Sequence, residues 1–243
     1  MKCKFCGNES ALVKAHIIPA GFFRRIRQGK EALELITNTA GEYKKRSQVG
    51  VYDRTIVCSK CEAIWQEWDR YVQQLLAEEP LNGRVLYRGN QKIGYIVDNF
   101  EYSRLKLFFI SMVWRASVSS DKYFKKISLG EFEDIAKQNI MNNDPGDSEN
   151  FSTVLSKFDH PLANVILDPH IYKNSGVNYS RFYLGSYMAD IKVDHKPAPM
   201  PFSKGAIAEN KPLYIVCRDF TKSKELNLMK KLIAAKQQTK PLH

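Results

Sequence analysis

The sequence predicts an α+β protein with two parts: a small cysteine-bearing domain at residues 1–85 and a larger domain at 86–243, helical first and then β-rich. The first part is predicted from two Cys-x-x-Cys pairs, at residues 3–6 and 58–61, and from the helical spacing of apolar residues after the second pair. The second part is predicted from an apolar helical stretch at 102–118 and the short strand-like runs that follow it. A chain of 243 residues is long enough for either one or two cores.

The elements of the first part follow from its apolar pattern. A short strand is expected within 12–19, after the first cysteine pair, and a returning strand within 51–57, before the second. Apolar residues from Ile64 to Leu76 recur at helical spacing, and Pro80 marks the end of that helix. Strand, cysteine pair and helix are therefore expected in that order.

The second part is predicted to contain helices at 102–118, 129–141 and 222–238. Trp114 is expected to be buried, and Arg115 is expected to extend its charged end toward solvent. The predicted strands share short apolar runs bounded by turn residues, and they lie at 165–167, 182–184, 188–193 and 213–216.

Four cysteines provide the strongest chemical signal. Thiolates in two close pairs can close a tetrahedral zinc site, and the long segment between Cys6 and Cys58 suggests a treble clef, in which a knuckle and a helix start supply two ligands each. The predicted zinc ligands are Cys3, Cys6, Cys58 and Cys61. Cys217 is left over and is expected to be an inert buried thiol.

The charge of the chain favours an anionic partner. Its formal net charge is +11, and clustered Lys and Arg side chains release counterions when they bind phosphates. The N-terminus has no apolar signal segment, and the longest apolar run is too short to span a bilayer. A cytoplasmic protein with no membrane association is expected. A reducing compartment also favours metal binding over disulfides.

The stretch CKFCG, then KAHIIP, then VYDRTIVCSKCE leading into a helix resembles the zinc-bearing HNH endonucleases over residues 1–76. That resemblance implies a ββα-metal treble clef with His16 as general base. It also implies that Asp53 orients His16 or the loop behind it, and that Glu62 binds a catalytic Mg²⁺ or Mn²⁺. Imidazole suits proton abstraction near neutral pH, and a carboxylate suits a hard divalent ion.

Basic residues near His16 in the sequence are candidates for binding the phosphates of a nucleic-acid backbone. They are Lys14, Arg24, Arg25 and Arg27. The resemblance implies hydrolysis of DNA phosphodiester bonds, with RNA as another substrate class. A looser likeness to bacterial and phage HNH-type proteins, carried by FFISMVWR at 108–115, extends over most of the chain and suggests a setting in phage defence or mobile elements.

One position departs from the pattern of the active family members. Ala15 stands where many of them have an Asp or His metal ligand, and alanine cannot coordinate a metal. Either Asp69 or Glu67 completes the site, or Glu62 acts with water and substrate phosphate, or catalysis is lost. The alternative function is therefore a catalytically silent zinc module that binds nucleic acid or a protein partner. A third hypothesis makes residues 86–243 a sensor or inhibitor-binding domain.

Overall fold

The computed structural model of the protein describes residues 1–22, 33–35, 45–47, 51–77, 82–160 and 167–238. The predicted α+β class is confirmed, because long helices and a large sheet occur in one chain. None of the helices within these ranges is both long and apolar enough to cross a membrane.

Short strands and one long helix form the cysteine-bearing part. The strands are β1 (Ala15–His16), β2 (Leu33–Leu35), β3 (Lys45–Ser47) and β4 (Tyr52–Asp53). β1 pairs antiparallel with β4, and β2 pairs antiparallel with β3. The strands predicted within 12–19 and 51–57 are each only two residues long. An isolated bridge between Leu12 and Cys58 continues the contact between the two segments toward the cysteines.

Helix α1 (Ser59–Ala77) begins beside the second cysteine pair. The predicted helical spacing holds, and one face of the helix is buried. The large buried side chains on it are Trp65, Trp68, Val72 and Leu76. Their burial places both tryptophans in the core, as expected.

Helix α2 (Tyr102–Val118) matches its predicted bounds, and every residue from Leu105 to Ala116 is buried. Helix α3 (Phe132–Asn142) begins three residues after its predicted start. It is capped by Asn143, whose left-handed backbone (φ 52°) lets its N–H bond the carbonyl of Ile140. A helix buried on all sides must lie between other elements. α2 is therefore the centre of the molecule.

A seven-stranded sheet forms most of the second part, in the spatial order β5-β6-β11-β7-β10-β9-β8. β7 runs parallel to β11, and the other neighbours are antiparallel. The β8–β9 turn places Ser175 and Gly176 at φ 50° and 79°, the left-handed pair that a tight hairpin requires. The strands are β5 (Arg84–Arg88), β6 (Gln91–Val97), β7 (Thr153–Phe158), β8 (His170–Asn174), β9 (Val177–Leu184), β10 (Tyr187–Lys192) and β11 (Leu213–Arg218).

The sequence prediction of this sheet was incomplete, because four strands from β5 to β8 were missed. β7 explains why: all six of its residues are buried, so it has no alternation of polar and apolar positions. It even contains Lys157, which is 3% exposed and whose Nζ lies 5.4 Å and 5.1 Å from the rings of Tyr95 and Tyr187. Of the strand predicted at 165–167, residues 165 and 166 lie outside the described residues.

One apolar core joins the two parts of the chain. It includes Phe5 near the first cysteines, Trp114 of α2 and Ile215 of β11. The Phe5 ring centroid lies 5.7 Å from that of Trp65 and 5.1 Å from that of Trp114. The boundary at residue 85 stays a prediction, although the large sheet begins beside it at Arg84.

A smaller apolar cluster lies on the other face of the sheet. Tyr183 and Met188 belong to this cluster, whereas their strand neighbours Phe182 and Ala189 belong to the main core. Helix α5 (Lys224–Gln238) contributes Leu226 and other apolar residues to the smaller cluster. The remaining short helix, α4 (Phe202–Gly205), packs near Val154.

Candidate metal centre and the surroundings of His16

The four predicted zinc ligands lie together. One ligand atom from each of them falls within 4.8 Å of the others, in the group Cys3, Cys6, Cys58 and Cys61. The first pair lies on a turn that closes with a hydrogen bond from the Gly7 N–H to the Cys3 carbonyl, where Gly7 has φ 78°. The second pair lies at the start of α1. Two separate pieces of backbone therefore supply two thiols each.

The sulfur geometry fits zinc. A tetrahedral Zn²⁺ with Zn–S bonds of about 2.3 Å places its sulfurs about 3.8 Å apart. The Cys61 sulfur lies 3.7 Å from that of Cys3 and 3.5 Å from that of Cys58. The main-chain N–H of Cys58 also donates to the Cys3 sulfur at 3.4 Å, which stabilises a thiolate there. The group therefore has the ligand type, number and spacing of a structural zinc site.

The electrostatics of the thiols favour deprotonation of at least one member. The backbone N–H of Cys61 donates to Cys58 and lowers the pKa of that thiol to about 6. Burial raises the pKa of Cys61, with the neighbouring sulfurs adding to the effect. A bound divalent cation would offset the repulsion between neighbouring thiolates, so that all four sulfurs could be deprotonated at close range.

His16 lies on β1, opposite Tyr52 of β4, and Ala15 lies opposite Asp53. Because successive strand residues point to opposite faces, His16 and Tyr52 share one face while Ala15 and Asp53 share the other. The face of His16 is partly exposed, whereas Ala15 and Asp53 are buried. His16 is therefore half-buried on this face, and the Nε2 atom of its imidazole is buried.

Glu62 comes from the first turn of α1, directly after Cys61. Its Oε2 accepts a hydrogen bond of 3.1 Å from the indole N–H of Trp65, and its carboxyl group is also bonded by the backbone of His16. Burial raises the pKa of Glu62 to about 7, while the charge of Arg115 acts in the opposite direction. The structure therefore brings together Glu62 and the main chain of His16, from two segments far apart in sequence.

The carboxylate of Asp53 is used by the loop behind the strand pair. It accepts hydrogen bonds from the N–H and hydroxyl of Thr55 at 2.7 and 2.6 Å, and from Ser119 and the N–H of Ser120, both at 2.8 Å. Burial acts to raise the pKa of Asp53, but these donors outweigh it and lower the pKa to about 2. Of the two roles expected for Asp53, these contacts correspond to holding the loop, and its side chain lies on the face away from His16.

The two acids suggested as replacements for the missing ligand at position 15 are engaged elsewhere. Both carboxylate oxygens of Asp69 accept from the Arg115 guanidinium, at 3.0 and 2.9 Å. Glu67 pairs with Arg104 at 2.5 Å. Asp69 is therefore held by a buried partner, whereas the partner of Glu67 is an arginine in an exposed ion pair.

Among the residues predicted to grip a nucleic-acid backbone, Lys14 is placed by the structure. Its Nζ lies 3.9 Å from the centroid of the Tyr52 ring, beside the face that carries His16. Arg24, Arg25 and Arg27 lie outside the described residues. Within the described residues, Lys14 therefore provides a positive charge beside His16.

The prediction that Arg115 extends to solvent was wrong. Its side chain is 0% exposed and pairs with Asp69, while Nη1 donates to the main-chain carbonyl of His16 at 2.6 Å. The sequence does contain a signal for this pair. Asp69 occurs one helical turn after Trp65 on the buried face of α1, and a buried carboxylate requires a partner.

Comparisons with protein-family models, with curated proteins and with solved structures yield no match. The fold and the cysteine site define the chain as an α+β protein with a candidate tetracysteine metal centre at its N-terminus. Its function must be inferred from its own residues.

Proposed function

We propose that the protein is a metal-dependent endonuclease with an HNH-type, treble-clef zinc domain. The observation that carries this proposal is the meeting of Glu62 with the main chain of His16, beside the four-cysteine cluster. An antiparallel strand pair followed by a helix, with two cysteines before the pair and two at the helix start, is the order that a ββα-metal site requires. The resemblance over residues 1–76 assigns the same roles to the same residues.

Each residue has a task that suits its chemistry. His16 would accept the proton of the attacking water, because imidazole titrates near neutral pH. Glu62 would bind Mg²⁺ or Mn²⁺, since its carboxylate is a hard oxygen ligand next to the main chain of His16. When bound, that ion supplies charge stabilisation to the phosphate and its leaving oxygen. The four-thiolate zinc would remain structural because it has no open coordination position.

Lys14 and the arginines at 24, 25 and 27 would bind the phosphate backbone of DNA or RNA. Lys14 is partly exposed, and its ammonium lies over the Tyr52 ring, on the same side of the strand pair as His16. Phosphate contacts of this kind add affinity without sequence preference. Lys14→Ala should therefore lower affinity for all sequences and reduce the slope of log K against log salt by about 1.

A second function, binding without cleavage, is favoured by the surroundings of position 15. Ala15 is 0% exposed and has no ligand atom, and both carboxylate oxygens of Asp69 are bonded to Arg115. A zinc module with this composition would bind nucleic acid or a protein partner and leave it intact.

The two functions are separated by an assay of supercoiled plasmid with Mg²⁺ or Mn²⁺. Wild type, His16→Ala and His195→Ala are compared, with zinc content and DNA affinity measured for each. His195 is the matched control, because it is an exposed histidine that contacts Phe132 and Glu131 in the second part of the chain. Loss of a general base should lower the cleavage rate by about 10²–10⁴-fold.

Metal-dependent nicking that is lost in His16→Ala and retained in His195→Ala would support the nuclease. Zinc-loaded wild type that binds DNA without cutting it would support the binding module. Zinc-loaded protein with neither activity would overturn both nucleic-acid functions and favour a protein partner.

A further inference from the structure

Arg115 makes an unusually complete set of buried contacts. It lies near the end of α2, with a side chain that is 0% exposed. Its Nε and Nη2 donate to the carbonyl and the hydroxyl of Ser111, both at 3.2 Å. Its centre lies 5.2 Å from the ring of Trp65. A cation buried this fully is held in one position by its partners.

Two of these partners belong to the cysteine-bearing part of the chain. The guanidinium forms a two-pronged pair with Asp69 of α1, and Nη1 also donates to the carbonyl oxygen of His16 at 2.6 Å. The contacts span 46 and 99 positions of the sequence. One side chain from α2 therefore joins α1 to the strand that carries His16.

We propose that Arg115 is a positioning residue, which fixes the main chain of His16 relative to Glu62 and so couples the second part of the chain to the site. This inference rests on the proposed nuclease function. Asp69 fixes the plane of the guanidinium, and Nη1, which donates to Asp69, then also fixes the position of the His16 carbonyl. Because the imidazole is attached to this segment, the position of the main chain sets the distance between the imidazole and a bound phosphate.

The geometry requires arginine in particular. The planar guanidinium presents several donors in a rigid fork, whereas a lysine ammonium is a compact charge on a flexible stem. Arg115→Lys keeps the charge but cannot maintain both bonds to Asp69 and the bond to His16. A misplacement of about 1 Å at a catalytic group can cost about 10²-fold in rate.

Arg181 provides a matched control for the loss of a bidentate arginine–carboxylate pair. Arg181 of β9 pairs with Asp190 of β10 through Nε at 2.7 Å and Nη2 at 3.0 Å, and its side chain is 15% exposed. Arg181→Lys keeps the charge and removes a similar two-bond pair from the sheet, and Arg181 has no described contact to His16. A general loss of stability would affect both variants alike.

The experiment compares wild type, Arg115→Lys and Arg181→Lys in the full chain. Zinc content and thermal unfolding establish that each protein is folded. Single-turnover cleavage is then measured over a range of DNA concentrations, and amide hydrogen exchange is followed in peptides that cover residues 11–22. If Arg115→Lys does not fold, Asp69→Asn replaces it and is compared with Asp190→Asn. Each of these changes weakens the arginine–carboxylate pair by removing the charge of the acid.

We expect Arg115→Lys to lower the maximal cleavage rate by tenfold or more, to leave half-saturation by DNA within about threefold, and to accelerate exchange at residues 15–17. Arg181→Lys should leave both the maximal cleavage rate and the exchange at residues 15–17 unchanged. Equal cleavage and equal exchange in the two variants would overturn the positioning role. If wild type does not cleave, the nuclease proposal fails, and faster exchange confined to Arg115→Lys would still support the coupling.

Discussion

Asp53 accepts a hydrogen bond of 2.8 Å from the main-chain N–H of Ser120, across 67 positions of the sequence. This bond ties the end of β4 to the segment that follows α2. Lys4 reinforces the same junction by donating to the carbonyl of Val118 at 2.5 Å. The cysteine-bearing part is therefore attached to α2 at its C-terminal end as well as through Arg115.

Asp53→Asn should lower the free energy of unfolding by about 1–3 kcal/mol, because an amide replaces a buried carboxylate that accepts several hydrogen bonds. Asp219→Asn is the matched control, since the exposed Asp219 makes the same local turn, with bonds from the N–H and hydroxyl of Thr221. Urea unfolding at pH 7 measures both. Equal effects would show that the bonds to Ser119 and Ser120 contribute nothing.

The Asp53 carboxylate should also contribute to acid sensitivity. Its pKa is lowered from 3.8 to about 2 in the folded protein, so its stabilising effect is present above pH 4 and is lost as the pH falls toward 2. The difference in stability between wild type and Asp53→Asn should therefore shrink over that window. Unfolding curves of both proteins at successive pH values test this sign, and a difference that grows on acidification would contradict it.

Cys58→Ser should abolish stoichiometric zinc binding and unfold the cysteine-bearing part, because the binding energy of a structural zinc is also folding energy. Cys217→Ser should retain zinc, since Cys217 lies in β11 and outside the cysteine cluster. Metal analysis together with hydrogen exchange over residues 1–22 distinguishes the two variants. Zinc retained at full stoichiometry by Cys58→Ser would contradict the assigned ligand set.

Phe5→Ala should destabilise the protein by about 3–5 kcal/mol, the usual cost of removing a buried aromatic ring. Phe5 is 2% exposed and contacts the rings of both Trp65 and Trp114, so its loss should also alter tryptophan fluorescence. Tyr87→Ala, at a side chain that is 62% exposed, should change stability by no more than about 0.5 kcal/mol. Denaturant unfolding followed by fluorescence checks both values.

Lys106 should make the stability of the protein depend on alkaline pH. Burial lowers the pKa of its ammonium from 10.5 to about 8, although Nζ donates to the carbonyl of Asp147. Between pH 8 and 10.5 the unfolded chain holds more protons at this residue than the folded chain does, so this contribution to stability rises with pH.

Wild type should therefore gain stability relative to Lys106→Met between pH 7.5 and about 9.5. The difference in stability between wild type and Lys173→Met should be the same at both pH values. Lys173 is exposed on the edge strand β8 and serves as the control. Urea midpoints measured at the two pH values test the prediction. A parallel response of wild type and Lys106→Met would exclude a depressed pKa at this lysine.

Some features could be predicted because they depend on neighbours along the chain. The bounds of α2 follow from its apolar residues, and the four-cysteine group follows from ligand type and pairing. The strand β7 could not be predicted in this way. The ammonium of its buried Lys157 lies over the rings of Tyr95 and Tyr187, which belong to two other strands.

The α+β class, the central helix and the set of thiols could be inferred from the sequence alone, because apolar periodicity and metal-ligand chemistry are local properties. The surroundings of His16, in contrast, depend on how distant segments pack in the folded chain. This packing turned Asp53 toward Ser119 and Ser120 and paired Asp69 with Arg115. It also brought the Arg115 guanidinium to the His16 carbonyl. A buried charge takes whichever partner the packing of distant segments places beside it, and spacing along the chain carries no record of that choice.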